Sequence, residues 1–198
     1  MTFLHTTRFS RGKLPHWEVE NGRYFVTVRL ADSIPRASVL RLQEIHLSLA
    51  AVQAQSAAFA GLQRQYFQAM EKYLDVGAGD CHLRHPQNGA IVIEELLALT
   101  DWKIEVPHYT IMPNHWHALF VPDRECTRSL ADIMKRIKGR TGKRLRSAIG
   151  GLGPIWQREW FDRWIRSDAE WEKTVSYIQN NPVKAGLASE LNVHPFTK

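Results

Sequence analysis

Apolar residues recur along this chain at several distinct spacings, and each spacing predicts an element. Tyr24-Phe-Val-Thr-Val-Arg-Leu30 is rich in β-branched and aromatic residues and predicts a strand. Asp32, Ser33 and Pro35 punctuate the chain, after which Val39, Leu42, Ile45, Leu49 and Val52 keep a helical period. A second helical pattern runs from Phe59 to Leu74, with Leu62, Tyr66, Ala69 and Tyr73 as its apolar stripe. Gly77-Ala-Gly79 ends it, Cys81 to Asn88 reads as a loop, and Ile91 to Leu99 resumes a helix. Two apolar runs then flank Pro113-Asn114, which predicts an antiparallel hairpin whose first strand ends at Met112 and is kept short by Pro107.

Beyond Pro122 the period turns helical again. Leu130, Ile133, Met134, Ile137, Leu145, Ala148 and Ile149 form its buried stripe, and Gly150-Gly-Leu-Gly-Pro154 reads as a connector. Ser167-Asp-Ala-Glu170 is a capping-box pattern that starts a last helix at Asp168. Trp171, Val175 and Ile178 should face the core, and Pro182 should end the helix, because a residue before proline resists helical geometry. The 198 residues, 44% hydrophobic, are enough for one domain with a proper core. No apolar run approaches the ~20 residues of a membrane span. The N-terminus lacks a signal-peptide pattern, and two cysteines, Cys81 and Cys126, cannot make a disulfide framework. A cytoplasmic setting is the simplest expectation.

Charge adds a partner class. The net charge is +6, but residues 124–166 hold twelve Lys or Arg against four Asp or Glu, so that segment is +8 and the remainder −2. A localised positive field suits a polyanion, although a solvated basic helix face would show the same count. Within the segment, Trp156, Trp160, Phe161 and Trp164 interleave with Arg158, Arg163 and Arg166. Rings beside arginines can stack bases and pair phosphates, while at least half of these rings should be core.

Two places carry candidate chemistry. A strand sends residues i and i+2 to one face, so His115 and His117 point the same way and Trp116 points oppositely. Such a pair is either a metal chelate or two polar residues on a wet strand face. On the last helix, Asn181 lies one turn after Tyr177, and both fall outside the stripe of Trp171, Val175 and Ile178. A tyrosine hydroxyl is a nucleophile once its phosphate target is polarised, and an amide oxygen one turn away can add a third ligand to a cation held by two histidines.

Met112-Pro-Asn-His-Trp-His117, Trp156-Gln-Arg-Glu-Trp-Phe161 and Tyr177-Ile-Gln-Asn-Asn-Pro-Val-Lys-Ala-Gly-Leu187 together resemble the REP-associated tyrosine transposases. These are relatives of the single-tyrosine insertion-sequence transposases in the HUH (His-hydrophobic-His) nuclease superfamily. The resemblance covers Tyr24 to Leu30 and residues 103 to 187. It implies an α+β fold with a ferredoxin-like antiparallel sheet and packed helices, forming one domain over 1–198 with a helical insertion at 35–100. It further implies Mg²⁺ or Mn²⁺ on His115, His117 and Asn181, with Tyr177 attacking DNA to give a covalent 5′-phosphotyrosine. The implied partners are single-stranded and hairpin DNA of the REP-palindrome type, bound by a monomer or homodimer. Arg11, Lys13, Lys135, Lys138, Arg140, Lys143, Arg144, Trp156, Arg158 and Arg163 are the expected DNA-binding residues. Two other readings remain: a hairpin-DNA binder that has lost cleavage, and a metal-dependent nuclease that uses water, with Tyr177 structural.

Overall fold

A computed structural model describes residues 6–11, 15–19, 22–53, 56–189 and 196–198 of the chain. The main sheet contains β3 (Arg23–Arg29), β4 (Ile104–Glu105), β5 (Tyr109–Ile111), β6 (His115–Pro122) and β7 (Phe161–Ile165). Its order is β4-β6-β3-β7, with β5 also paired to β6, and every pairing is antiparallel. With α3 (Pro86–Leu97) and α4 (Leu130–Ile149) as crossovers, this is the ferredoxin-like arrangement of an α+β fold. A smaller sheet, β1 (Thr6–Arg11) with β2 (Pro15–Val19), forms a separate hairpin.

Side-chain alternation divides the core in two. Val26, Val28 and Trp116 face one way and pack with Val92 and Leu96 of α3 and Ile133, Met134 and Ile137 of α4. Phe25 and Leu119 face the other way. They pack with Leu42 of α1 (Arg36–Ala51), Met70 and Leu74 of α2 (Ala57–Asp75) and Ile178 of α5 (Asp168–Lys184). Trp116 is fully buried, so its ring sits in the core on the face opposite the two histidines, as the alternation predicts.

Local chemistry sets the helix ends. Ser129 and Asp132 form a complete capping box on α4, and Gly150 (φ 66°) closes it in the left-handed region. Ser167 caps α5 by accepting from the Glu170 N–H, although the Glu170 carboxylate reaches back to Arg166 instead of the cap residue.

Three sequence expectations need correction. α5 does not stop before Pro182 but continues to Lys184. Its final turn is closed by Leu187 N–H to Pro182 O (2.8 Å) and Gly186 N–H to Val183 O (3.0 Å), with Gly186 at φ 70°. A proline so near the end costs little, because this closing pattern uses its carbonyl and does not need its N–H. On α2 the buried residues are Phe59, Met70, Glu71 and Leu74, while Leu62, Tyr66, Ala69 and Tyr73 are half-buried. The stripe is turned because α2 packs on the sheet through one flank and on α1 through another. The segment expected to be a loop holds a 3-10 turn, His82–Arg84, and the start of α3 at Pro86, since proline is well suited to a helix's first position.

The β1–β2 hairpin is anchored by His16. Its Nδ1 contacts the Asp162 carboxylate of β7, Nε2 lies 3.6 Å from Glu159, and the ring stacks on Trp160 at 4.2 Å. Burial alone would lower the His16 pKa, but Asp162 and Glu159 outweigh it and the value is raised above 6.5. A raised folded-state value stabilises the fold fully below the unfolded value and loses that contribution as pH rises through the folded one. Denaturant titrations should therefore show wild-type stability falling on the alkaline side of pH 6.5, at no more than about 1.4 kcal/mol per pH unit. His16→Gln should remove that slope, and identical pH profiles for the two proteins would contradict the anchoring role.

Candidate active site

Three elements distant in sequence converge on the face of β6 covered by α2 and α5. β6 contributes His115 and His117, whose Nε2 atoms lie 3.1 Å apart. α5 contributes Tyr177, with Oη 3.5 Å from His117 Nε2, and Asn181, with Nδ2 3.4 Å from the same nitrogen. α2 contributes Glu71, whose Oε2 lies 3.4 Å from His117 Nε2 and accepts the hydrogen bond donated by the Tyr177 hydroxyl. His115, His117, Glu71 and Asn181 are all buried.

Each imidazole is oriented from its far nitrogen. Thr27 Oγ1 on β3 lies 2.8 Å from His117 Nδ1. Asn114 Oδ1 lies 2.7 Å from His115 Nδ1, and because an amide oxygen only accepts, Nδ1 carries the proton and Nε2 presents a lone pair. Asn114 Nδ2 also donates to the carbonyls of Leu74 (3.3 Å) and Ala78 (3.2 Å), pinning the end of α2. One buried amide thus sets a histidine and anchors the helix that carries Glu71.

Burial, followed by the neighbouring His117, lowers the His115 pKa to about 3, so the imidazole stays neutral. Burial would raise the Glu71 carboxyl, but His117, His115 and the Tyr177 hydroxyl outweigh it and bring the value down to about 2. Tyr177 moves well above the ordinary tyrosine value, first through burial and then through the charge of Glu71.

Among the described residues, Glu71, His115 and His117 form a group whose ligand atoms lie within 4.8 Å of one another. Glu71 Oε1 and Asn181 Oδ1 are both buried and have no hydrogen-bond partner in the protein. Two imidazoles, a carboxylate with one orphaned oxygen and the orphaned amide oxygen of Asn181 fit a divalent cation.

Residues 92–181 match the family model described as Transposase IS200 like. The matched segment runs from α3 to Asn181 and so includes both histidines and the tyrosine. The structure of a REP-associated tyrosine transposase bound to a REP hairpin shares this chain's fold. The two are 20% identical, with 96% of this chain and 81% of that one covered at a TM-score of 0.51. A crystal structure from Deinococcus radiodurans R1, of a transposase candidate, is 14% identical over 80% of this chain and 89% of its own, with a TM-score of 0.36. No curated protein sequence matches significantly.

The site gathers His115, His117, Tyr177 and Asn181 within a few ångströms. Asn181, outside the apolar stripe, is nevertheless 1% exposed and turned to the sheet, because α5 packs through a broader arc than its three apolar residues span. Glu71 is the residue that sequence reading missed. Its signal was a carboxylate four residues after Phe67 and three before Leu74, on the face that α2 buries.

The expected DNA-binding residues divide. Lys135, Arg140, Lys143, Arg144 and Arg158 are exposed, with Arg140 near Glu95 (3.5 Å) and Arg144 paired to Glu94 (2.6 Å). Trp156 does not serve as a stacking platform: it is 6% exposed in the core, and its indole N–H donates to Thr141 Oγ1 at 2.9 Å. Lys138 turns inward to the carbonyls of Gln157 (2.7 Å) and Arg158, where burial lowers its pKa to about 8. Arg163 is half-buried against Glu170 and Thr174. The side chain of Arg11, and all of Lys13, lie outside the described residues.

Asn114→Ala should weaken Mn²⁺ binding about 10- to 100-fold by calorimetry, since it frees the His115 ring. It should also cost about 1–3 kcal/mol of stability by removing the amide donor from the Ala78 carbonyl just past α2. Unaltered Mn²⁺ affinity in a folded variant would show that this amide does not set the site. In the same assay Glu71→Gln should weaken the ion more than Asn181→Ala, because a water replaces an amide oxygen more readily than a charge.

Proposed function

We propose that this protein is a metal-dependent single-strand DNA endonuclease and strand transferase that acts beside REP-type hairpins. The observation that carries this reading is the Tyr177 hydroxyl, placed 3.5 Å from His117 Nε2 and hydrogen-bonded to Glu71 within a buried histidine pair. A purely structural tyrosine has no need of that company, and the matched family supplies the reaction class. The REP-hairpin complex of the similar fold makes hairpin DNA the favoured partner here too.

His115 and His117, with Glu71 and Asn181 in reach, would hold Mg²⁺ or Mn²⁺. When bound, such an ion supplies positive charge that grips the scissile phosphate and stabilises the leaving 3′-oxygen. Tyr177 Oη attacks phosphorus, a tyrosyl P–O bond forms, and the bond to the 3′-oxygen breaks. The products are a 5′-phosphotyrosine and a 3′-hydroxyl able to rejoin strands. The Tyr177 proton leaves toward Glu71, the carboxylate that already accepts its hydrogen bond. The chain acts as one transposase domain, and we place its inserted part at α1 and α2, which bring Glu71 to the site, while α3 completes the ferredoxin-like core.

Tyr177→Phe should leave folding and hairpin binding intact while cleavage and adduct formation disappear. A Phe variant that cuts single-stranded DNA at the wild-type rate would point to water as the nucleophile. α4 packs on the Trp116 face, so its exposed cations lie on the far side of the sheet from Tyr177. A hairpin stem bound there would reach the tyrosine only by its single-stranded foot passing the sheet edge. Replacing Lys135, Arg140 and Lys143 together by Ala should flatten the slope of log affinity against log salt by ~0.7 to 0.9 per lost contact. A slope identical to wild type would assign these residues to solvent.

A further inference from the structure

Beside the catalytic cluster lies a pocket of ≈ 340 Å³ that the chemistry described above does not use. α1 and α2 form one wall, through Val39, Leu42 and Met70, while Trp160 and Phe161 of the segment entering β7 line it as well. It adjoins the reaction centre directly. Thr27, which orients His117, lines it, and Met70 precedes Glu71.

Its polar groups are few and specific. Arg29 lies half-buried in the lining, held to Ser33 Oγ at 3.3 Å, and no carboxylate pairs with it among the described residues. Buried guanidinium groups are ordinarily paired, so this one is suited to an anion from outside. His46 Nδ1 and Trp160 Nε1, on two further lining residues, are buried without hydrogen-bond partners in the protein. Glu159 also lines the pocket, 3.6 Å from His16, and offers a carboxylate acceptor. Apolar and aromatic walls, an anion-seeking guanidinium, orphaned ring nitrogens and one acceptor together describe a site for a nucleotide: a planar base and its phosphate.

We propose that this pocket takes one unstacked nucleotide of the single strand that runs through the active site, with its phosphate on Arg29 and its base among the aromatic and apolar walls. Glu159 favours a base carrying an exocyclic amine, so thymine is the poorest occupant. This inference rests on the proposed DNA-cleaving function. It assigns to α1 and α2 a second task, selection of a base next to the cleaved phosphate.

The test needs no cleavage. Full-length protein in a chelator is titrated with a twelve-residue oligothymidylate and with the same strand carrying one central 2-aminopurine, whose amine and fluorescence serve as the probe. The substituted strand should bind about 5- to 100-fold more tightly and change its fluorescence on binding. Val39→Trp, which fills the pocket, and Leu47→Glu, an exposed change at its lining, should each abolish that preference with the fold retained in at least one of them. Equal affinities for the two strands, or a preference that persists in a folded pocket variant, would overturn the assignment. So would free 2-aminopurine deoxynucleoside monophosphate binding as tightly as the strand, since the pocket would then serve a free nucleotide. Adduct formation with metal restored is scored separately, so loss of the cleavage reading and loss of the pocket give different results.

Discussion

The buried amide of Asn114 ties together the parts on which this centre depends. Its oxygen fixes the proton of His115 on Nδ1, and its nitrogen holds the carbonyls of Leu74 in the last turn of α2 and Ala78 just beyond it. Because α2 is anchored at that point, Glu71 one turn earlier is brought against His117 and Tyr177. The turn that precedes β6 therefore does more than reverse the chain. It couples the register of the histidine strand to the position of an inserted helix, with buried hydrogen bonds whose loss would leave several polar groups stranded.

The sheet explains why the histidines are available at all. Antiparallel pairing of β6 with β3 places His117 opposite Thr27 and His115 opposite Arg29, so one face of two neighbouring strands supplies both the chelating pair and its support. Trp116 goes to the opposite face and fills the core under α3 and α4. A one-residue slip in register would exchange these roles, burying the imidazoles in hydrocarbon and turning the indole into the site.

Much of this was legible from residue spacing. The alternation in His115-Trp116-His117 set the faces, and Ser167 with Glu170 gave the start of α5. Tyr177 and Asn181, one turn apart, foretold a shared target. Glu71 was obscured because only tertiary packing tells which flank of an amphipathic helix is buried, and here a carboxylate sits on that flank beside Met70. The interleaved aromatics misled at Trp156, where an indole bonded to Thr141 belongs to the core. Basic residues were equally ambiguous: Lys138 spends its charge on backbone carbonyls, while Lys135 and Lys143 stay exposed. Local sequence shows that a charge exists and leaves its partner to the fold.

Peptide mapping of the protein after incubation with hairpin-bearing single-stranded DNA and Mn²⁺ tests the central claim most directly. The account predicts one modified peptide, carrying the 5′-phosphate of the DNA on the oxygen of Tyr177, and none when the ion is chelated. A cleaved strand with no nucleotide attached to the protein, or with the phosphate on any other residue, would contradict it.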